Sequence, residues 1–176
     1  EDGTITAENA KIGYVGAYPY AEVVCGYTAF LLGIQSIVPE AYMEVQYTSS
    51  WYDLTAEGEA ANQLMADGCV IIGQHADSTG APSAVQAKKD AGEVVYSVGY
   101  NIDMLEAAPT AALTSSQNNW SVLYHDTLEK FLAGEEIPTD YSVGITKDAV
   151  MISKLGPECA EGTQEAVDAA WAGIKD

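Results

Sequence analysis

The chain has 176 residues, of which 48% are hydrophobic, and this is enough to bury the core of one domain. Seven basic residues stand against 26 acidic ones, so the formal net charge is -19. Such a charge repels nucleic-acid phosphates and anionic lipid surfaces, which argues against both as partners. No apolar run reaches the roughly 18 residues of a membrane span and no signal peptide is evident, so we expect no direct membrane insertion.

The first half of the chain alternates between strand-like and helical spacing of apolar residues. A strand over residues 11–16 precedes a long helix that begins near Pro19. A second strand, residues 43–47, leads to Asp53, which stands where a helix N-cap would. The helix that follows ends at Gly68. This alternation indicates consecutive βα units.

The same rhythm continues through the middle of the chain. The third strand, residues 69–73, is purely apolar, as expected for a strand that is covered on both faces. Pro82 marks the start of the next helix, which is expected to carry Val85 and Ala91 inward. A fourth strand is predicted over residues 94–98.

The last third of the chain changes its pattern after one more βα unit. That unit comprises a short strand, residues 111–114, and a helix over about residues 119–133. Residues 141–145 and 149–152 are then predicted to form a β-hairpin. A final helix is predicted over about residues 163–174.

Together these elements predict an α/β fold with an open, parallel, doubly wound sheet of the Rossmann-like or flavodoxin-like type. We assign residues 1–10 to a flexible lead-in and residues 11–134 to a ligand-binding lobe of five βα units. Residues 135–176 hold the hairpin and the last helix, which belong to the same domain or cross toward another lobe.

Three cysteines occur at wide spacing, without the C-x-x-C pair that indicates zinc or redox chemistry. Cys25 and Cys69 stand in apolar segments, so we expect both to be buried free thiols. The cysteines do not indicate a cellular compartment.

Aromatic and polar side chains follow the carboxyl ends of the predicted strands. These ends meet at one rim of a parallel sheet, where ligands bind beside free helix amides. The candidate ligand-binding residues of this rim are Tyr18, Trp51, Asp53, His75, Asp77, Asn101, Asp103 and Asn118. Aromatic surface beside neutral amides and a few carboxylates suits a flat, uncharged, hydroxyl-rich molecule better than a phosphate.

Several of these residues also have purely structural interpretations. Trp51 can be a lid on the second helix, and His75 can be a capping or core histidine. Asp53, Asp77 and Asp103 can all cap helices or turns, and for Asp53 this role is favoured over ligand contact. A metal site built from His75, Asp77 and Asp103 has no supporting spacing motif. No G-x-S-x-G, Walker or G-x-G-x-x-G motif is present, so no catalytic residue and no cofactor are predicted.

Five spaced motifs resemble those of one family. Residues 11–38 contain Pro-x-x-Glu-Val and Ala-Phe-x-x-Gly pieces, and Ser-Trp-Tyr-Asp at residues 50–53 is followed by Glu57. The other three motifs are Gln-His-Ala-Asp-Ser at 74–78, Gly-Tyr-Asn-Ile-Asp-Met at 99–104 and Asn-Asn-Trp at 118–120. In this order they resemble the basic membrane protein family of ABC-transporter substrate-binding lipoproteins, from about residue 11 to the end.

The resemblance implies a two-lobed, type I periplasmic-binding-protein fold whose cleft closes on a nucleoside or purine base. It also implies an ABC permease as partner and lipid anchoring outside the cytoplasmic membrane in the full-length protein. The family's first lobe has no counterpart ahead of Glu1, so this chain is expected to supply mainly the second lobe. The counterparts of five residues lie on the cleft side of such a lobe: Trp51, Asp77, Asn101, Asp103 and Asn118.

The sequence also departs from the family's pattern. Ala76 replaces a threonine, and Ile102 replaces a small residue, usually serine. Asn118 stands where some members have a lysine against the ribose, which favours a free base over a nucleoside.

Two other functions are compatible with the predicted sheet. One is a flavodoxin-like enzyme or phosphotransfer domain, since the fold does not fix the function. A receiver domain needs an acidic cluster after the first strand, where this chain has Ala17 and Tyr18. The other is an autonomous interaction module that dimerises through an exposed hinge face.

Overall fold

A computed structural model describes residues 9–175 of the chain. In chain order the elements are β1 (Lys11–Gly16), α1 (Ala21–Gln35), β2 (Tyr42–Tyr47), α2 (Leu54–Ala66), β3 (Ile71–Gln74), α3 (Gly80–Asp90), β4 (Tyr96–Asn101), β5 (Ala112–Asn118), α4 (Trp120–Ala133), β6 (Val150–Ile152) and α5 (Thr163–Lys175). Residues 1–8 of the predicted lead-in lie outside the described part. Ala10, at the end of that lead-in, is already buried beside β1.

The strands form one sheet in the order β2-β1-β3-β4-β5-β6. Neighbours among β1 to β5 are parallel, and only β6 runs antiparallel, against β5. The direction of winding reverses between β1 and β3, and the carboxyl ends of two such strands form a crevice in which ligands bind. The predicted α/β fold with an open, mostly parallel sheet is therefore confirmed.

The core lies between the sheet and the pair α2 and α3. Val15, Leu64, Ile72 and Val85 are fully buried there. Alternate residues of a strand point to opposite faces, so Tyr14 points to the other face, where its ring contacts Phe30 of α1. The sheet thus has helices on both faces, as a doubly wound fold requires.

Helix α4 packs differently from α2 and α3, because none of its residues is buried. Four apolar residues of this helix remain largely open to solvent: Trp120, Tyr124, Leu128 and Phe131. An amphipathic helix normally buries such a face against another element. The described residues contain no element that covers it.

The last two parallel strands extend further than predicted. β4 ends at Asn101 instead of residue 98, and β5 ends at Asn118 instead of residue 114. Strand β5 is paired on both sides, with β4 and with β6, which fixes its polar end in extended backbone. Polar residues carry a weak strand signal, so this extension was not visible in the sequence.

The predicted hairpin is wrong. Residues 141–144 form no strand, and a single 3₁₀ turn at Ile145–Lys147 follows them. β6 pairs instead with the extended end of β5, where Asn118 lies opposite Val150 and Ser116 opposite Ile152. An already ordered neighbouring strand offers this segment better hydrogen-bond partners than the short segment before the turn.

Two burial predictions are also wrong. Ala91 is exposed because it is the C-cap of α3 and lies beyond the inward-facing turns. Cys25 is exposed because it lies on the outer side of α1, where Val23 is the buried residue. Cys69 is buried, as predicted.

Candidate functional site

Five aromatic rings lie side by side along the carboxyl rim of the sheet. Tyr20 stacks on Tyr18 with 5.0 Å between ring centroids, and Tyr18 lies 5.4 Å from Trp51. Trp51 lies 6.2 Å from His75, whose ring stacks on Tyr100 at 4.2 Å. We call these five residues the aromatic row. It crosses the ends of β1 to β4 and offers aromatic rings on which a flat molecule can stack.

Backbone hydrogen bonds hold neighbouring loops of the rim together. The amide of His75 donates to the carbonyl of Val15 at 2.9 Å, which aligns the loop after β3 with β1. The amide of Asp77 donates to the carbonyl of Trp51 at 2.8 Å, which joins the loops after β3 and β2. Trp51 and Asp77, which are 26 positions apart in the sequence, are therefore neighbours.

Asp77 is a carboxylate of the rim, in the loop that also carries His75. Its side chain accepts a hydrogen bond from Asn101. Burial raises its pKa above the usual value, while His75 and the Asn101 bond act in the opposite direction and the charge of Glu22 adds to the rise. A half-buried carboxylate is an acceptor for ligand N–H or O–H groups.

Asn101 has an unusual backbone conformation at the end of β4. Its φ is 69°, in the left-handed region that asparagine tolerates better than most residues. The amide of Ile102 donates to the Tyr100 carbonyl at 2.8 Å and closes the turn around Asn101. The side chain is thereby directed to Asp77 across the rim.

Tyr100 connects the aromatic row to β5. Its hydroxyl is hydrogen-bonded to the side chain of Asn118, and burial is the main cause of its raised pKa. The charges of Asp77 and Glu22 contribute to the same rise. The structure thus brings Trp51, His75, Asp77, Asn101 and Asn118 into one chain of contacts.

Asp53 and Asp103 serve their own backbone segments. Asp53 caps α2, as predicted, because its Oδ1 accepts from the amides of Thr55 and Ala56 at 3.0 Å each. Oδ1 of Asp103 accepts from the Leu105 amide at 2.9 Å, and the side chain is exposed. Any contact of these two carboxylates with a ligand stays a prediction.

A groove of about 500 Å³ adjoins the aromatic row on the α1 side of the sheet. Of its twelve lining residues, only His75 was among the candidates. The others include Tyr14, Glu22, Phe30, Tyr100 and Ser116. In the sequence, Tyr14 and Phe30 have the spacing of core residues, and Glu22 is an ordinary acidic residue in a first helical turn. Tyr100 and Ser116 follow the predicted ends of the fourth and fifth strands, which is a signal that could have found them.

No metal site was predicted from the sequence. Within residues 9–175, no group of three or more His, Cys, Asp or Glu side chains is arranged to hold a metal ion. None of the described helices combines the length and the apolar content of a membrane span.

Comparisons with known proteins identify the family of this chain. Residues 3–172 match the model of the Bmp family, described as ABC transporter substrate-binding protein PnrA-like. The chain is 36% identical over 167 residues to a putative ABC transporter glucose-binding protein of Haloferax volcanii, covering 95% of this chain and 41% of that protein. It is 37% identical over 135 residues to a purine-binding protein of Brucella abortus, covering 75% of this chain and 37% of that protein.

A solved structure shows the same fold. A solute-binding protein of an ABC transporter system from Conexibacter woesei superposes with a TM-score of 0.72 at 22% identity, over 94% of this chain and 54% of that one. The chain therefore spans about half, or less, of the length of the proteins it matches. The family match extends over nearly all of the chain, so the chain belongs to the Bmp family of PnrA-like ABC transporter substrate-binding proteins.

Proposed function

We propose that this chain supplies one lobe of an extracytoplasmic ABC-importer receptor that binds a purine base or nucleoside in a cleft between two lobes. The observation that carries the proposal is the aromatic row, which passes directly beside Asp77 and Asn101. A purine offers a flat face for stacking and an edge of nitrogen donors and acceptors. The row matches the face, and the carboxylate and amide match the edge.

The charges at the rim favour a ligand without phosphate. Glu22 and Asp77 are the acidic groups beside Tyr100, and no lining residue of the groove is a lysine or arginine. A phosphate is recognised by cationic side chains, by a cluster of free backbone amides or, commonly, by both. A base or nucleoside is therefore favoured over a nucleotide.

A free base fits better than a nucleoside at the β5 end of the site. Asn118 is hydrogen-bonded to Tyr100, so its amide is oriented by the protein before a ligand arrives. A neutral amide suits a ring nitrogen or carbonyl, whereas the lysine of some family members would face a ribose. The purine-binding relative from Brucella abortus supports this ligand class.

A sugar is the second candidate, because the Haloferax volcanii relative is named as glucose-binding. Aromatic rings can also pack against the apolar face of a pyranose, and carboxylates accept bonds from hydroxyls. A purine is itself an aromatic ring that can stack on these side chains, whereas a hexose presents only C–H groups to them, so the row favours the purine.

The exposed side of α4 supports the expected first lobe as a partner. Trp120, Tyr124, Leu128 and Phe131 are 51% to 69% exposed, and such a patch marks a surface that another part of the protein covers. With that lobe in place, the receptor would close by a hinge, hand its ligand to a permease and carry out no covalent chemistry. Lipid anchoring of the full-length protein belongs to the same proposal.

Isothermal titration calorimetry tests the ligand class. Adenine, guanine, hypoxanthine, their nucleosides and glucose are titrated into this chain and into a version extended at its N-terminus by the segment encoded upstream. Saturable binding of one purine compound without turnover is expected, tighter in the extended version. Saturable binding of glucose with no purine response would overturn the purine assignment in favour of the sugar.

A further inference from the structure

A buried carboxyl group lies beneath the candidate site, between two of its loops. Glu57 is in the first turn of α2 and its side chain is 0% exposed. Its Oε1 accepts hydrogen bonds from the backbone amides of Asp53, at 3.1 Å, and Ser78, at 3.2 Å. Asp53 belongs to the loop after β2 and Ser78 to the loop after β3. One oxygen atom therefore bonds both loops.

The backbone segments around this carboxyl group lie very close to each other. The amino ends of α2 and α3 almost touch, because a Cβ at Gly80 would lie 2.3 Å from the carbonyl oxygen of Leu54. A few residues away, the Asp77 amide bonds the Trp51 carbonyl. The loop that carries Trp51 and the loop that carries Asp77 thus meet twice, once at their own backbones and once at Glu57.

We propose that Glu57 is a positioning residue, whose buried carboxyl group fixes the loop of Trp51 against the loop of Asp77 and so sets the spacing of the ligand-binding rim. The role of this rim in ligand binding rests on the proposed function. The connection between the two loops is a property of the chain itself and can be tested without a ligand.

Burial of the Glu57 carboxyl group lowers stability, which argues against a role in filling space alone. Its Oε2 is buried without a hydrogen-bond partner among the described residues. Burial raises the pKa of Glu57, the bonds from Asp53 and Ser78 oppose the rise, and the charge of Asp77 adds to it. A leucine of similar size would fill the same space without these costs, but it could not accept the two amide bonds.

Amide hydrogen exchange, followed by NMR on the whole chain, separates positioning from space filling. Three variants are compared: Glu57→Leu, Glu57→Gln and the control Glu59→Gln, an exposed position of the same helix. In Glu57→Leu we expect the amides of Asp53 and Ser78 to exchange at least about tenfold faster, because both lose their acceptor. The Val70 amide, which bonds the Lys11 carbonyl in the sheet, should not change.

The conservative variant is the decisive comparison. Glu57→Gln keeps a carbonyl oxygen that can accept both amides, so exchange at Asp53 and Ser78 should stay within about threefold of the parent. Acrylamide quenching of Trp51 fluorescence should rise in Glu57→Leu alone, measured in a Trp120→Phe, Trp171→Phe background. Equal exchange in Glu57→Leu and the parent, or equal acceleration in the Leu and Gln variants, would overturn the proposal.

A shorter carboxylate provides a second route if Glu57→Leu does not fold. Glu57→Asp keeps the charge, but one methylene less prevents the oxygen from reaching both loops. Faster exchange at Asp53 or Ser78, but not at Val70, supports positioning, and unchanged exchange at both contradicts it. A failure of all purine titrations would leave these outcomes unaffected, so the two proposals fail separately.

Discussion

The imidazole ring of His75 lies on the phenol ring of Tyr100, with 4.2 Å between centroids and 22° between planes. His75 follows β3 and Tyr100 is in β4, so the stack spans neighbouring strands at the rim. Nδ1 of His75 is buried and has no hydrogen-bond partner among the described residues. The ring is thus held mainly by packing, and the first prediction concerns the aromatic row of which it is part.

Removal of the indole should weaken ligand binding. Trp51→Ala deletes a central ring of the aromatic row, so we expect purine affinity to fall by at least about 1 kcal/mol, or about fivefold in Kd. Calorimetry measures this in whichever form, this chain or its N-terminally extended version, binds more tightly. Tyr42→Ala, which removes an exposed aromatic ring at the opposite end of β2, is the control. An unchanged Kd for Trp51→Ala would remove the stacking role.

Loss of the α2 cap should cost stability. Asp53→Ala leaves the amides of Thr55 and Ala56 without their acceptor, which should lower the free energy of unfolding by about 1 kcal/mol. Urea denaturation of the variant and of Glu59→Ala, an exposed acidic position of the same helix, gives the difference. If both variants lose the same amount, the contribution comes from charge and not from capping.

Two glycines with different surroundings should respond in opposite ways to substitution by alanine. Gly80→Ala places a Cβ against the Leu54 backbone, which should destabilise the chain by about 1–3 kcal/mol. Gly33→Ala, in the interior of α1 with open space around its Cβ, should stabilise it by about 0.5–1 kcal/mol. Thermal unfolding of both variants tests the pair, and a harmless Gly80→Ala would contradict the close approach.

The pH dependence of stability should change when Glu57 cannot ionise. Its pKa in the folded chain is raised above the ordinary value of 4.5, so its contribution to stability is full below that value and is lost as the pH rises through the folded pKa. Glu57→Gln should therefore lose less stability than the parent between pH 4 and pH 7. Glu59→Gln should keep the parental slope, and equal slopes for all three would show that Glu57 ionises freely.

The sequence predicts the sheet and most of the rim for a simple reason. Periodic apolar residues mark β1, α2 and β3 in the sequence. Because the carboxyl ends of parallel strands meet at one rim, Trp51, His75 and Asp77 are expected to lie together. The cap at Asp53 was predictable because it depends only on local spacing. The order of the strands was not predicted, because Rossmann-like and flavodoxin-like sheets share the same alternation and differ in strand order.

The remaining features depend on contacts between distant segments. Ser116 and Gln117 are strand residues because they pair with both β4 and β6, and Asn118 because it pairs with β6, which lies more than 30 positions away along the chain. The role of Glu57 depends on Ser78, a residue of another βα unit. Ala91 and Cys25 were misplaced because helical spacing does not show where the neighbouring element ends.

The connection around α4 has a mechanical consequence. The chain leaves the sheet after Asn118 and returns at Val150, and the Asn119 amide bonds the Ala149 carbonyl at 2.8 Å where the two segments pass each other. Both ends of the segment that carries α4 are thereby anchored side by side at the end of β5. Helix α4 is thus joined to the sheet through a single clamped neck, and the position of that neck depends on the β5–β6 pairing.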